Sequence, residues 1–116
     1  MSVFKDQAKF MLACGQTVGE LNDDQALLYD TLITEEINEL IDAETPEEML
    51  KELMDCIVVL IGFGHSMGFD MDGAWKEVWE SNMSKVDPET GMVLKRLDGK
   101  VEKGPNYKPA DVSKFV

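Results

Sequence analysis

Two short runs carry carboxylates in a pattern able to hold a divalent cation. They are Glu35-Glu36-Ile37-Asn38-Glu39 and, twelve residues further on, Glu52-Leu53-Met54-Asp55. Carboxylate oxygens are hard donors, and several converging on one point suit Mg²⁺, with Mn²⁺ as a substitute. Zinc or a redox metal would call for histidine or thiolate among the donors. At about 100° per residue, Tyr29, Leu32, Ile33, Ile37, Leu40 and Ile41 form one apolar stripe. Glu36 falls inside that stripe, Glu39 at its edge, and Glu35 points almost the opposite way. A carboxylate aimed at a core must be paired or bound to a metal to offset its desolvation. Asp55 has the same difficulty, being the only charged residue between Leu53 and Phe63. Its alternative to a metal is an ion pair with Lys51, the one cation within a helical turn.

These carboxylates need two helices to bring them together. Asn22, Asp23 and Asp24 offer N-caps for a helix running to about Ala43. Thr45-Pro46-Glu47-Glu48 is a restart signal, with Thr45 as cap, Pro46 in the first turn and Glu48 completing a capping box. The helix it opens runs to about Met67, where Gly68 ends it. The tight turn near Glu44 and Thr45 makes the two helices antiparallel neighbours. The pairs Glu36/Asp55 and Glu39/Glu52 have equal index sums. They therefore lie ~10 Å and ~14 Å from the turn at 1.5 Å per residue, each pair level across the hairpin. A flanking helix is expected over Val3 to Cys14, stopped by Gly15, and another from roughly Asp72 to Lys85. Beyond Lys85, Asp87-Pro88-Glu89-Thr90-Gly91 is a turn, and Gly99, Gly104, Pro105 and Pro109 break up any longer element. The expected organisation is a helical catalytic domain over residues 1–85. An irregular tail over 86–116 packs on the same domain or on a neighbouring subunit.

The chain has 116 residues, enough for one core, and a net charge of −12. Residues 1–85 hold 5 Lys/Arg against 18 Asp/Glu, whereas residues 86–116 hold 6 against 5. So acidic a body repels a nucleic-acid backbone, and no nucleic-acid partner is expected. It would repel a small anionic ligand too, unless divalent cations invert the local field. No apolar run is long enough to span a bilayer, so no membrane partner is expected. The first residues lack the layout of a secretory signal, and Cys14 and Cys56 read as reduced core residues, which places the chain in the cytoplasm.

The spacing Glu35-Glu36-x-x-Glu39 followed by Glu52-x-x-Asp55 resembles the EExxE(n)ExxD signature of the all-α nucleoside triphosphate pyrophosphatases. That superfamily includes MazG-like enzymes, dimeric dUTPases and phosphoribosyl-ATP pyrophosphohydrolases. The resemblance extends to Phe10-Met11 with Gly15-Gln16, to Gly62 through Gly68, and to Ser81-Asn82-Met83-Ser84-Lys85. The tail Asp98-Gly99-Lys100-Val101-x-Lys103-Gly104-Pro105-Asn106-Tyr107 resembles the phosphoribosyl-ATP pyrophosphohydrolase-like branch. The resemblance implies an all-α bundle of four to five helices of MazG-like type, oligomeric, as homodimer or homotetramer. It implies Mg²⁺ on Glu36, Glu39, Glu52 and Asp55, with Glu35 or Glu36 activating or positioning the attacking water. Asn82 and Lys85 would contact phosphate or sugar, Lys100, Lys103 and Tyr107 would close over the nucleotide, and Gln16 would help to form the base pocket. The implied reaction hydrolyses a nucleoside triphosphate, or a related nucleotide, to the monophosphate and pyrophosphate.

Two other readings compete with it. One is the phosphoribosyl-ATP pyrophosphohydrolase of histidine biosynthesis, disfavoured by a single arginine, Arg96, for a doubly phosphorylated substrate. The other is a non-catalytic helical module whose acidic pocket binds a structural cation. His65, the only histidine, sits near the end of a buried helix and reads as a packed or partner-facing residue. Trp75 and Trp79, at i and i+4, read as core or interface residues.

Overall fold

A computed structural model describes residues 2–116 as two compact units, one running up to Met71 and including Val116, the other Asp72–Phe115. The described residues form four α-helices and a terminal 3₁₀ turn, with isolated β-bridges but no strand. The fold is all-α, as expected. No helix among the described residues is long and apolar enough to cross a membrane.

The first unit contains α1 (Val3–Ala13), α2 (Asp23–Asp42) and α3 (Pro46–Ser66). Each begins where a short polar side chain satisfies a backbone donor left over at the helix start. Ser2 accepts from the amide of Lys5, Asn22 from Gln25 and Thr45 from Glu48. The reciprocal half of the expected capping box is displaced by one residue. The Glu48 carboxylate accepts from the amide of Glu44 at 3.0 Å, so it ties down the residue before the cap.

Helices α2 and α3 form an antiparallel hairpin whose register can be followed layer by layer. Gln25 donates from Nε2 to Ser66 Oγ at 2.8 Å. One layer down, Tyr29 lies so close on Gly62 that a Cβ there would overlap its ring. Leu32 and Val59 pack together in the core with Met11, Ile33 and Phe63. The next two layers are Glu36 facing Asp55 and Glu39 facing Glu52. On both helices these positions alternate steps of four and three residues, the spacing of a coiled-coil seam. The carboxylates thus occupy two layers of the seam that would otherwise be apolar.

The open end of the hairpin is latched by backbone. Asn22 N–H donates to Ser66 O at 2.8 Å, and Leu21 bridges to Met67. Gly68 follows with φ +80°, and a Cβ there would stand 3.0 Å from the backbone of Glu20 and Leu21. Only glycine meets both the conformation and the approach. Helix α1 packs against α3, where the buried His65 donates from Nε2 to Phe4 O at 2.8 Å. That places His65 as a packed residue within this unit.

Two expectations about burial change. Cys14 caps α1 and is exposed, whereas Cys56 is buried; both are free thiols. The apolar stripe of α2 is covered only toward its N-terminal half. Tyr29 is 4% exposed, but Ile37 is 43% and Ile41 72% exposed.

The second unit holds most of α4 (Met71–Met83) and the segment after it. The helix stops two residues short of Lys85, and Lys85 and Val86 continue in turns that donate to Asn82 O and Met83 O. The expected turn closes with Gly91 N–H donating to Asp87 O and Asp87 N–H to Met92 O. Bridges Val86–Val93 and Lys95–Val101 follow, and the 3₁₀ turn Ser113–Phe115 ends the unit. Trp75 and Trp79 are 61% and 54% exposed, so neither is a core residue of this unit.

Candidate metal centre

Within the first unit, one carboxylate oxygen from each of Glu36, Glu39 and Glu52 lies within 4.8 Å of the others. Glu36 and Glu39 share a face of α2 because they are one turn apart, and the level pairing of the hairpin brings Glu52 opposite. Glu36 and Glu52 are half-buried, while Glu39 remains exposed at the rim. Two of the oxygens, Glu36 Oε2 and Glu52 Oε2, are buried without any hydrogen-bond partner.

Buried, unpartnered carboxylate oxygens beside like charges are unfavourable. Burial pushes the Glu36 carboxyl up to about 7, with Glu39 and then Asp55 adding to the shift. Burial also raises Glu52, helped by Glu39 and Asp55 and opposed by Lys51. The nearby Cys56 thiol is raised by burial first and by all four carboxylates after it. A proton shared between carboxylates relieves this strain, and so does a cation. Hard oxygens from three side chains, two of them orphaned and with no histidine among them, fit Mg²⁺ or Mn²⁺.

Asp55 stands in the adjoining layer, but its carboxylate is bonded to Lys51 one turn earlier on α3. The structure therefore brings three of the four expected ligands together and places the fourth beside them in an ion pair. Its charge still acts on Glu36 and Glu52. Lys51 is exposed and its ammonium pKa is raised by Asp55. The pair lies at the solvent-facing side, where the long lysine side chain reaches water easily. Glu35 is exposed and outside the group of three.

Gln16 precedes α2 and accepts at Oε1 from the Tyr29 hydroxyl at 2.6 Å. Tyr29 lies two helical turns before Glu36 on the same seam, and so links Gln16 to the acidic layers. Sequence reasoning placed Tyr29 in the apolar stripe and missed this hydrogen bond. The signal was available, because Tyr29 and Gly62 share the index sum of the carboxylate pairs. Neighbouring Thr17 is held by Gln25, whose Oε1 accepts from Thr17 N–H at 3.0 Å and whose Nε2 donates to Thr17 O at 2.8 Å.

The remaining predicted residues belong to the second unit. Asn82 Oδ1 accepts from Lys85 Nζ at 3.3 Å. Lys85 and Lys103 direct their ammonium groups to the Tyr107 ring, 6.0 and 4.9 Å from its centroid. Lys100 stands apart from them, its amide donating to Asp98 Oδ1 and its carbonyl accepting from Arg96 N–H.

The family model for phosphoribosyl-ATP pyrophosphohydrolase matches residues 17–82, more than half of the chain. The match takes in both acidic runs, the whole α2–α3 hairpin and α4 as far as Asn82. Gln16, Lys85, Lys100, Lys103 and Tyr107 lie outside it. No curated protein matches the chain significantly. An antiparallel hairpin with orphaned carboxylates in its seam, matched over its full length by that family, identifies the chain as a member of the phosphoribosyl-ATP pyrophosphohydrolase family, within the all-α MazG-like superfamily of pyrophosphohydrolases.

Proposed function

We propose that the chain is a Mg²⁺-dependent nucleotide pyrophosphohydrolase converting a (d)NTP or related nucleotide to the monophosphate and pyrophosphate. The observation that carries this reading is the pair of orphaned oxygens on Glu36 and Glu52, buried beside Glu39. Glu36, Glu39 and Glu52 would hold the cation, with Asp55 joining once released from Lys51. When bound, Mg²⁺ neutralises phosphate oxygens and lowers the pKa of water. Water would attack the α-phosphorus, its oxygen bonding there and one of its protons passing to a carboxylate, as the α–β bridging bond breaks and pyrophosphate leaves. Glu36 or Glu35 would take that proton or position the water, Glu36 from within the cluster and Glu35 from the outer face. Asn82, Lys85, Lys100, Lys103 and Tyr107 supply donors and positive charge for the phosphates or sugar, and Gln16 an amide for the base.

The family match supports a second substrate, phosphoribosyl-ATP. Against it, the single arginine, Arg96, is engaged by Asp98 at 2.6 Å. We place the protein in the cytoplasm as a homodimer or homotetramer. Support for self-association comes from the large apolar residues left open on α2 and α3, such as Leu27, Ile41 and Leu50 at 65%, 72% and 61% exposure.

The test is a panel of canonical and damaged nucleotides and phosphoribosyl-ATP, incubated with Mg²⁺ and assayed by product. Pyrophosphate release identifies α–β cleavage and its substrate. Release of inorganic phosphate alone would overturn the mechanism, and no release from any substrate would favour a non-catalytic cation-binding module.

A further inference from the structure

Lys51 is the only lysine or arginine between Asp23 and Ser66, a hairpin that carries twelve Asp and Glu. It therefore has a choice of partners, and three of them stand one turn away on α3. Glu47 and Glu48 precede it by four and three residues, and Asp55 follows it by four. On an isolated helix the better arrangement puts the acid four residues before the lysine, which favours Glu47. Glu48 is engaged by the amide of Glu44, but Glu47 is exposed and takes part in no ion pair among the described residues. Lys51 nevertheless bonds to Asp55.

Helical spacing does not account for that choice, and the acidic layers do. Asp55 acts most strongly on the Lys51 ammonium, and Glu52 and Glu36 add to its attraction. Glu36 and Glu52 each leave one buried oxygen unpartnered, so their charge is not quenched from within the seam. Lys76 and Glu80 repeat the same order and spacing on α4, where no buried carboxylate oxygen is orphaned among the described residues. There the nitrogen stays 3.9 Å from the carboxylate, whereas Lys51 is in direct contact with Asp55. The ammonium is drawn to the edge of the seam as any cation would be. With 69% of the lysine side chain exposed, it can swing away again without repacking the core.

We propose that Lys51 is a resident counter-cation with two positions, on Asp55 in the metal-free chain and on Glu47 once a divalent cation has claimed Asp55. The lysine then sets the cation concentration at which the fourth carboxylate joins the other three. An ammonium reaches one carboxylate at a time, whereas a divalent cation gathers several oxygens at once, so the cation prevails when it is abundant. The exchange leaves neither side chain unpaired, because Lys51 gains Glu47 as Asp55 gains the cation. The proposal deepens the metal-dependent reading of this centre and rests on it for the identity of the incoming cation.

The test titrates Mn²⁺ alone into the full chain at fixed physiological salt and follows free Mn²⁺ by electron paramagnetic resonance. Lys51→Met should lower the half-saturating concentration about fivefold or more, whereas Lys51→Arg, which keeps the charge, should not. Removing any lysine from so acidic a chain favours cations a little, so the same substitution is repeated in an Asp55→Asn background. There the gain should vanish, because the lysine has lost the carboxylate it withholds. A gain of equal size in both backgrounds would mean long-range charge alone and would overturn the proposal. Glu47→Gln should weaken Mn²⁺ binding more in the wild type than beside Lys51→Met, since only the wild type uses Glu47 to receive the lysine. Equal weakening in both would overturn the second position. Equal midpoints for the wild type and Lys51→Met would retain the metal centre and reject the role of Lys51. Binding of Mn²⁺ by none of these proteins would reject the metal centre itself, and the proposal with it.

Discussion

Glu36 shows how a residue can be held in the fold at a cost to stability. Its carboxyl is raised to about 7 by burial and by its neighbours, from an ordinary value near 4.5. The folded, metal-free chain therefore holds a proton there that the unfolded chain has lost between those two values. Folded stability is greatest below the lower value and declines as pH rises toward the upper one. Urea midpoints of the EDTA-treated protein should fall from pH 4.5 to pH 7 and level off above it, and Mg²⁺ should recover the loss at neutral pH. A flat profile in that window would show that the oxygens find another partner. Glu36→Gln removes the repulsion, so it should raise the melting temperature of the metal-free protein while abolishing the Mg²⁺-dependent increase. Glu39→Gln removes a ligand at the rim and should lower pyrophosphate release on the order of 100-fold or more, with near-native stability.

At the scale of elements, the hairpin is what gathers scattered carboxylates into one cluster. Its register was legible because the caps Asn22 and Thr45, with Pro46, mark both helix starts, and a short connection leaves little freedom in the pairing. Glu36, Glu39 and Glu52 follow from that register and from helical spacing. Asp55 was only half legible. The sequence places it in the layer and names Lys51 as its rival, but the choice between ion pair and cation depends on which is bound. The Tyr107 arrangement was legible only as a list of residues, because the contacts join positions about twenty apart through a loop with no periodicity. Cys14 was misplaced because a helix-terminal position looks apolar in sequence while its side chain faces out. The hairpin makes its own prediction at Gly62, where alanine would normally favour a helix by about 1 kcal/mol. Here its methyl overlaps the Tyr29 ring, so Gly62→Ala should cost ~1–3 kcal/mol in urea unfolding. It should also loosen the Tyr29–Gln16 bond, because the ring that carries the hydroxyl must move.

At the scale of the whole molecule, the distribution of apolar surface argues for association. Leu50, Leu53, Ile57, Val58 and Leu60 are all at least 38% exposed on α3, and Ile37 and Ile41 continue the exposure on α2. A helix apolar on several sides is stable in water only when most of those sides are covered. The net charge of −12 works against bringing two copies together, but it is a long-range repulsion that salt screens. Apolar burial is almost insensitive to moderate salt, so self-association should strengthen as ionic strength rises. Sedimentation equilibrium between low and physiological salt should show the oligomer population increasing, and the melting temperature should depend on protein concentration. Replacing Leu50, an exposed residue outside the core cluster, by glutamate should shift the protein toward monomer while α-helical circular dichroism is retained at high concentration. A wild-type chain that remains monomeric at every salt and concentration would mean that these faces are covered in some other way. Mg²⁺ gives the same argument a second handle. Each cation taken up by the acidic layers cancels part of the charge that opposes association, so EDTA should weaken the oligomer at low salt and matter little at high salt.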